Sequence, residues 1–196
     1  MKKIITAVLA TAMALSLCAC GGKQPTQADN SDKIYVQDKG MLIVGMTDFA
    51  PMDYKDESGN WIGFDADMAK AFAESLGVEV QFLELADWDK KSMELDTKAI
   101  DVVWNGMTLT DDVKALMSTS QPYCRNAQVV VVNKAVADQY QTKESLSELK
   151  FAVENGSAGA EQLDGLNIPY TAMQNQAAAL MEVAKTYGVQ ESVITE

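Results

Sequence analysis

The 196-residue chain contains no histidine, and Arg125 is the only arginine among its 16 Lys+Arg. Without histidine there is no Ser-His-Asp triad, no Cys-His dyad and no His-ligated zinc or iron site. A formal net charge of -12 excludes a nucleic-acid partner, since phosphate contacts need a basic face. The one long apolar run, Ile4 to Leu17, is shorter than the roughly 20 residues of a membrane span. What is present is ordinary for a globular protein: 47% hydrophobic and 22% charged residues, in a chain long enough for one or two domains.

The start has the order of a secretory signal. Met1-Lys2-Lys3 is basic, Ile4 to Leu17 is apolar, and Cys18-Ala19-Cys20-Gly21-Gly22 is a small-residue exit. Leu17-Cys18-Ala19-Cys20 resembles a bacterial lipobox, which implies cleavage after Ala19 and a lipid on Cys20. The alternative is a plain signal peptide with two incidental cysteines. Cleavage removes Lys2 and Lys3, so 16 minus 2 leaves 14 cations against 28 acids, or -14. Gly22 to Lys33 has no apolar periodicity and reads as a flexible tether. With Cys20 lipidated, Cys124 stands alone. No disulfide is expected, and Cys124 reads as a half-buried small hydrophobe rather than a reactive thiol.

The body alternates strands and helices. Strands are expected at Met41–Gly45, Val78–Leu83, Ile100–Trp104, Ala127–Val132, Phe151–Val153, Ile168–Thr171 and Ser192–Ile194. Tyr54 and Trp61-Ile62 flank the turn Ser58-Gly59-Asn60 as a hairpin. Helices are expected from Asp65, at Trp88–Thr97, Thr110–Met117, Ser145–Leu149, after Gly159 to about Leu163, and at Asn175–Tyr187. In the first of these, Phe64, Met68, Phe72 and Leu76 recur four apart, with Asp65 as the start cap and Gly77 as the end. Such alternation is an α/β fold with largely parallel sheets.

Catalytic patterns are weak. Asn155-Gly156-Ser157-Ala158-Gly159 lacks the spacing of a nucleophile elbow, and no histidine could activate Ser157. The acid pairs Asp65/Asp67, Asp87/Asp89 and Asp111/Asp112 read as helix caps and solvated faces rather than acid/base machinery. No metal motif or cofactor fingerprint is present, so no metal and no cofactor is expected. Two strand-to-helix junctions, Thr108 to Asp112 and Gly156 to Glu161, stand out. Each offers backbone N–H groups that favour an anion, at the carboxyl ends of strands where open α/β sheets bind ligands.

Four segments share an order and spacing: Phe49-Ala50-Pro51-Met52, Gly63-Phe64-Asp65-Ala66-Asp67-Met68-Ala69, Asn105-Gly106-Met107-Thr108-Leu109-Thr110 and Ser120-Gln121-Pro122-Tyr123. Together they resemble the polar amino-acid substrate-binding proteins of ABC importers, from about Met41 to Leu163 and weakly to the end. The resemblance implies a two-lobed periplasmic-binding-protein-like fold of type II, closing around a small-molecule ligand. It implies the divisions 1–19 signal, 20–33 lipidated cysteine and tether, 34–132 lobe 1, and 133–196 an incomplete lobe 2. It also implies an extracytoplasmic, lipid-anchored monomer that serves an ABC permease and is not an enzyme. Phe49 and Trp88 then correspond to an aromatic pair around the ligand side chain. Asn105, Gly106 and Thr108 correspond to the segment that takes its amino and carboxylate groups. Ser157 and Ala158 correspond to a second carboxylate contact, and Glu196 to the acid that pairs with the ammonium. Trp104 is expected to face the other way, into the core.

Two departures weigh on that assignment. Where the family carries an arginine three residues after Thr110, this chain has Val113; Lys114 is turned about 100° away on a helix. The family also continues past Glu196 with a segment returning to lobe 1, which reads as a C-terminal truncation. Two alternatives follow: an enzyme on the same scaffold, such as a cyclohexadienyl dehydratase-like lyase or the binding half of a cell-wall lytic enzyme, or a truncated copy that binds nothing.

Overall fold

The structure is a computed structural model that describes residues 31–187 and 192–195. The chain divides into two compact units, Met1–Tyr35 and Val36–Glu196. The first described element is helix α1 (Ser31–Lys39). Ser31, Asp32 and Lys33, expected to close a flexible tether, form its first turn. It was hidden in the sequence because its SDKIYVQDK carries no apolar row; only Val36 is buried.

From Met41 the elements follow in the expected order. Strand β1 (Met41–Met46) is followed by the hairpin β2 (Tyr54–Lys55) and β3 (Trp61–Ile62), helix α2 (Phe64–Leu76) and strand β4 (Glu79–Glu84). A 3-10 turn at Trp88–Lys90 leads into α3 (Lys91–Asp96), then β5 (Val102–Val103) and α4 (Asp111–Leu116). Parallel strands in the order β4-β1-β5 make the first sheet. Strand β1 is buried on both sides. Leu42, Val44 and Met46 face Ala66, Ala69 and Ala73 of α2, while Ile43 points to a second cluster around Leu85, Trp88 and Ile100.

The face of α2 differs from expectation. Phe64, Met68 and Phe72 are 39–47% exposed, and the alanine row is buried instead. Small residues let the helix lie close on the sheet; the bulky row is displaced outward, where Phe72 meets Trp104 and Phe64 stacks on Tyr123. Gly63 rather than Asp65 is the start cap, and Gly77 ends the helix in the left-handed conformation.

The second sheet combines β6 (Val129–Val131), β7 (Phe151–Glu154), β8 (Tyr170–Met173) and β9 (Ser192–Thr195) in the order β6-β9-β7-β8. Strand β7 is parallel to β8 and β9, and β6 is antiparallel to β9. Helices α5 (Ala158–Gly165) and α6 (Gln176–Tyr187) cover it. Phe151 and Val153 pack with Ala160 and Leu163 of α5; Ala152 packs with Ala179 and Val183 of α6. Strand β6, assigned to lobe 1 by the expected division at 132/133, is hydrogen-bonded into the second sheet. The stretch expected as a helix at Ser145–Leu149 is a 3-10 turn, Glu144–Glu148. Cys124, expected half-buried, is exposed.

Candidate ligand-binding cavity

Loops after β4, β5 and β7, all leaving the carboxyl ends of parallel strands, converge on a cavity of about 380 Å³. Trp88 and Lys91 come from the first loop, Met107, Thr108 and Thr110 from the second, and Asn155 to Ala158 from the third. Of the predicted ligand residues, Trp88, Thr108, Ser157 and Ala158 are thus brought together. Phe49, Asn105 and Gly106 stand outside the lining, and Glu196 lies outside the described residues.

Each placement has a local cause. Trp88 is 2% exposed and packs with Leu85 and Ile100, so it is chiefly core with one side on the cavity. Ser157 caps α5: its Oγ accepts from the Ala160 N–H at 3.2 Å, and the residue is buried. Thr110 caps α4 in the same way through the Val113 N–H. Thr108 Oγ1 accepts from Asn126 Nδ2 at 3.0 Å and Gln128 Nε2 at 3.3 Å. Asn105 is buried, and its Nδ2 donates to Thr47 Oγ1 at 2.7 Å, which ties the loop after β5 to the end of β1. The Phe49 ring lies against Gly106, where a Cβ would come within 2.5 Å of Cε1.

The third loop meets the first directly. Gly156 has φ +67°, and a Cβ there would sit 2.6 Å from the Asp89 Cα. Asn155 Nδ2 donates to Asp87 Oδ1 at 3.1 Å. With the Asp89 N–H and Lys90, this bond holds the Asp87 carboxyl below its ordinary pKa. Lys91 Nζ donates to Gly156 O at 3.1 Å and Trp88 O at 3.2 Å, 4.9 Å from the Trp88 ring centroid.

Val113 lines the cavity, whereas Lys114 turns outward to Asp111 and Arg125 is exposed. Lys91 was missed because a lysine in a helical stretch reads as a solvated one. Its only sequence signal is its position three residues after Trp88, on the same side of the turn. Among the described residues no cluster of three or more His, Cys, Asp or Glu could hold a metal, and no helix is long and apolar enough to cross a membrane.

A second polar group sits behind Phe49. Asp53 and Asp65 are both fully buried, and the Tyr123 hydroxyl donates to Asp65 Oδ1 at 2.8 Å. Burial, reinforced by Asp65, pushes the Asp53 carboxyl up to about 8. Burial also raises Asp65, against the pull of Tyr123 and Trp104. The reading of Asp65 as a cap or solvated acid is therefore corrected: the close contact of α2 with the loop before it, through Asp65 N–H to Met52 O at 2.9 Å, draws the side chain inward.

Residues 42–186 match the sequence profile of the bacterial extracellular solute-binding proteins, family 3. The chain belongs to that family. A probable histidine-binding protein of Neisseria gonorrhoeae is 37% identical over 137 residues, covering 68% of this chain and 48% of the relative. The chain thus spans about half the length of that relative. The crystal structure of the ancestral amino acid-binding protein AncCDT-1, described as a precursor of cyclohexadienyl dehydratase, matches with a TM-score of 0.77 at 32% identity, covering 84% of this chain and 74% of that one. Arginine-bound, truncated ArgBP from T. maritima matches with a TM-score of 0.76 at 33% identity, covering 83% and 76%. The solute-binding fold is therefore the two-lobed type II periplasmic amino-acid-binding fold, present here in part.

Proposed function

We propose that this chain is the ligand-binding part of an extracytoplasmic solute-binding protein that delivers a polar amino acid to an ABC importer, tethered to the membrane by a lipid on Cys20. The cavity of about 380 Å³ at the strand ends, bounded by two N-capped helices, supports the reading most directly. Its volume suits a single amino acid. Trp88, Thr108, Ser157 and Ala158 contact the ligand in this reading; Phe49, Asn105 and Gly106 support the loops, and Glu196 supplies an acid for the ammonium. Four exposed carboxylates on the rim or wall, Asp89, Asp112, Glu161 and Asp164, favour a cationic side chain. Histidine and arginine, named for the relatives, therefore lead the candidates.

A thermal-shift panel of the twenty amino acids tests this. One or two basic members should raise Tm by several degrees at millimolar concentration, as expected for a ligand that binds only the folded state. No shift with any of them overturns the reading. The likeness to AncCDT-1 raises the alternative of a lyase. The absence of histidine from the whole chain favours binding over acid/base chemistry. Mass spectrometry should recover a bound amino acid unchanged after prolonged incubation; conversion would favour the enzyme. Membrane fractionation of Cys20→Ala should move the protein into the soluble extracytoplasmic fraction.

A further inference from the structure

We infer that the buried Asp53 carboxyl is a proton-operated latch on the ligand cavity. Protonated, it lets the Phe49 loop close on Gly106; its ionisation opens that loop and weakens ligand binding. The link to the ligand rests on the proposed amino-acid-binding function. Asp53 and Phe49 pair through their backbones, the Phe49 N–H donating to Asp53 O at 2.6 Å and the Asp53 N–H to Phe49 O at 2.9 Å. Asp53 therefore belongs to the loop that sets the Phe49 ring against Gly106. That loop is fastened to α2 by Asp65 N–H to Met52 O and Phe64 N–H to Pro51 O. A second route starts at Asp65. Tyr123, bonded to it, lies three residues before Asn126, whose Nδ2 donates to Gly106 O at 3.2 Å and Thr108 Oγ1 at 3.0 Å. Both routes end on the segment that carries Thr108 into the cavity.

Asp53 is fully buried, and neither of its carboxyl oxygens has a hydrogen-bond partner among the described residues. A charge there is costly, because nothing replaces the water it loses. The titratable groups that face it are Asp65 at the start of α2 and the Tyr123 hydroxyl in the segment after α4; no cation is among them. Asp65 opposes a second negative charge, and Tyr123 directs its hydrogen to Asp65 Oδ1 at 2.8 Å. The closed loop thus needs Asp53 neutral, in keeping with a carboxyl pushed up to about 8. In an opened loop water solvates the carboxylate, and the proton leaves near the ordinary 3.8. Between these values the closed form binds one proton more than the open form. Opening therefore becomes about tenfold easier for each pH unit gained within that window, and no easier above it. A ligand that binds the closed arrangement loses apparent affinity in proportion to the fraction of molecules still closed.

Two measurements on wild type and Asp53→Asn test the latch. In ligand-free wild type, hydrogen-exchange protection over residues 49–53, corrected for intrinsic rates, should lie well below that of β7 and fall at least tenfold from about pH 6 to pH 8. Asp53→Asn, which has no proton to lose, should show the same protection at both pH values. Protection equal to that of β7 would mean that Asp53 meets water only on global unfolding, and overturns the latch. Calorimetric titration with arginine and histidine then reads the cavity. Wild type should bind at least threefold more weakly at about pH 8 than at pH 6 and take up protons on binding at the higher pH, beyond any uptake shown by the variant. Identical pH profiles in wild type and Asp53→Asn would also overturn the latch, while leaving the binding function intact. If neither amino acid binds, the basic ligand proposed above fails, and the exchange measurement alone decides the latch. If Asp53→Asn does not fold, the wild-type exchange profile against β7 still decides it.

Discussion

At the scale of single residues, the two buried acids have the largest consequence. Folded Asp53 keeps its proton up to about pH 8, whereas the unfolded chain releases it near 3.8. The folded state therefore binds the extra proton between these values, and stability falls as pH rises through that window. Asp53→Asn should remove this slope and stabilise the protein at pH 8 by on the order of 3 kcal/mol, read from urea melts at pH 5, 6.5 and 8. A steeper slope in the variant would sink the idea. Neither acid was legible as buried. Asp53 sits in a loop sequence and Asp65 in a helix start, where carboxylates are usually solvated. Only the hydrogen bonds that fold the loop onto α2 reveal them.

At the scale of elements, strands such as Val129 to Val132 and Met41 to Gly45 were readable as short apolar or β-branched runs, and β4 by its alternation. The start of α4 held where Thr110 supplies the cap, whereas α5, expected after Gly159, begins at Ala158 behind the Ser157 cap. Ser157→Ala should cost about 1 kcal/mol of stability in denaturant melts by releasing the Ala160 N–H. The same change at exposed Ser147, whose hydroxyl bonds the Glu144 carbonyl in a 3-10 turn, should cost less. Face assignment was less readable. A row of large side chains in α2 looked like the natural core face, but contact distance decided it: only alanines permit the helix to approach β1. The candidate site was half legible. Both junctions were visible as glycine- and threonine-bearing turns. Lys91 and the Asp89–Gly156 contact depend on which loops meet, and no local pattern encodes that.

At the scale of the whole molecule, loops from both sheets are linked by polar contacts that include Asn155 to Asp87 and Lys91 to Gly156. Asn155→Ala should lower ligand affinity about threefold to tenfold, the worth of one hydrogen bond of about 1 kcal/mol, and enlarge the radius of gyration in small-angle scattering of the ligand-free protein. An unchanged radius and affinity would show that this contact contributes nothing to closure. The sheet orders carry a different lesson. Among the described residues, the strands of the first sheet all lie before Trp104. The second holds β9, residues 192–195, between β6 and β7, so Val129 must find Thr195 across the chain. A polypeptide emerging N-terminus first can therefore assemble one half early, while the other waits with two strands separated by an empty lane. During that interval Val129 to Val132 is an unpaired β-forming segment, and the speed with which β9 arrives sets how long a chaperone must shield it.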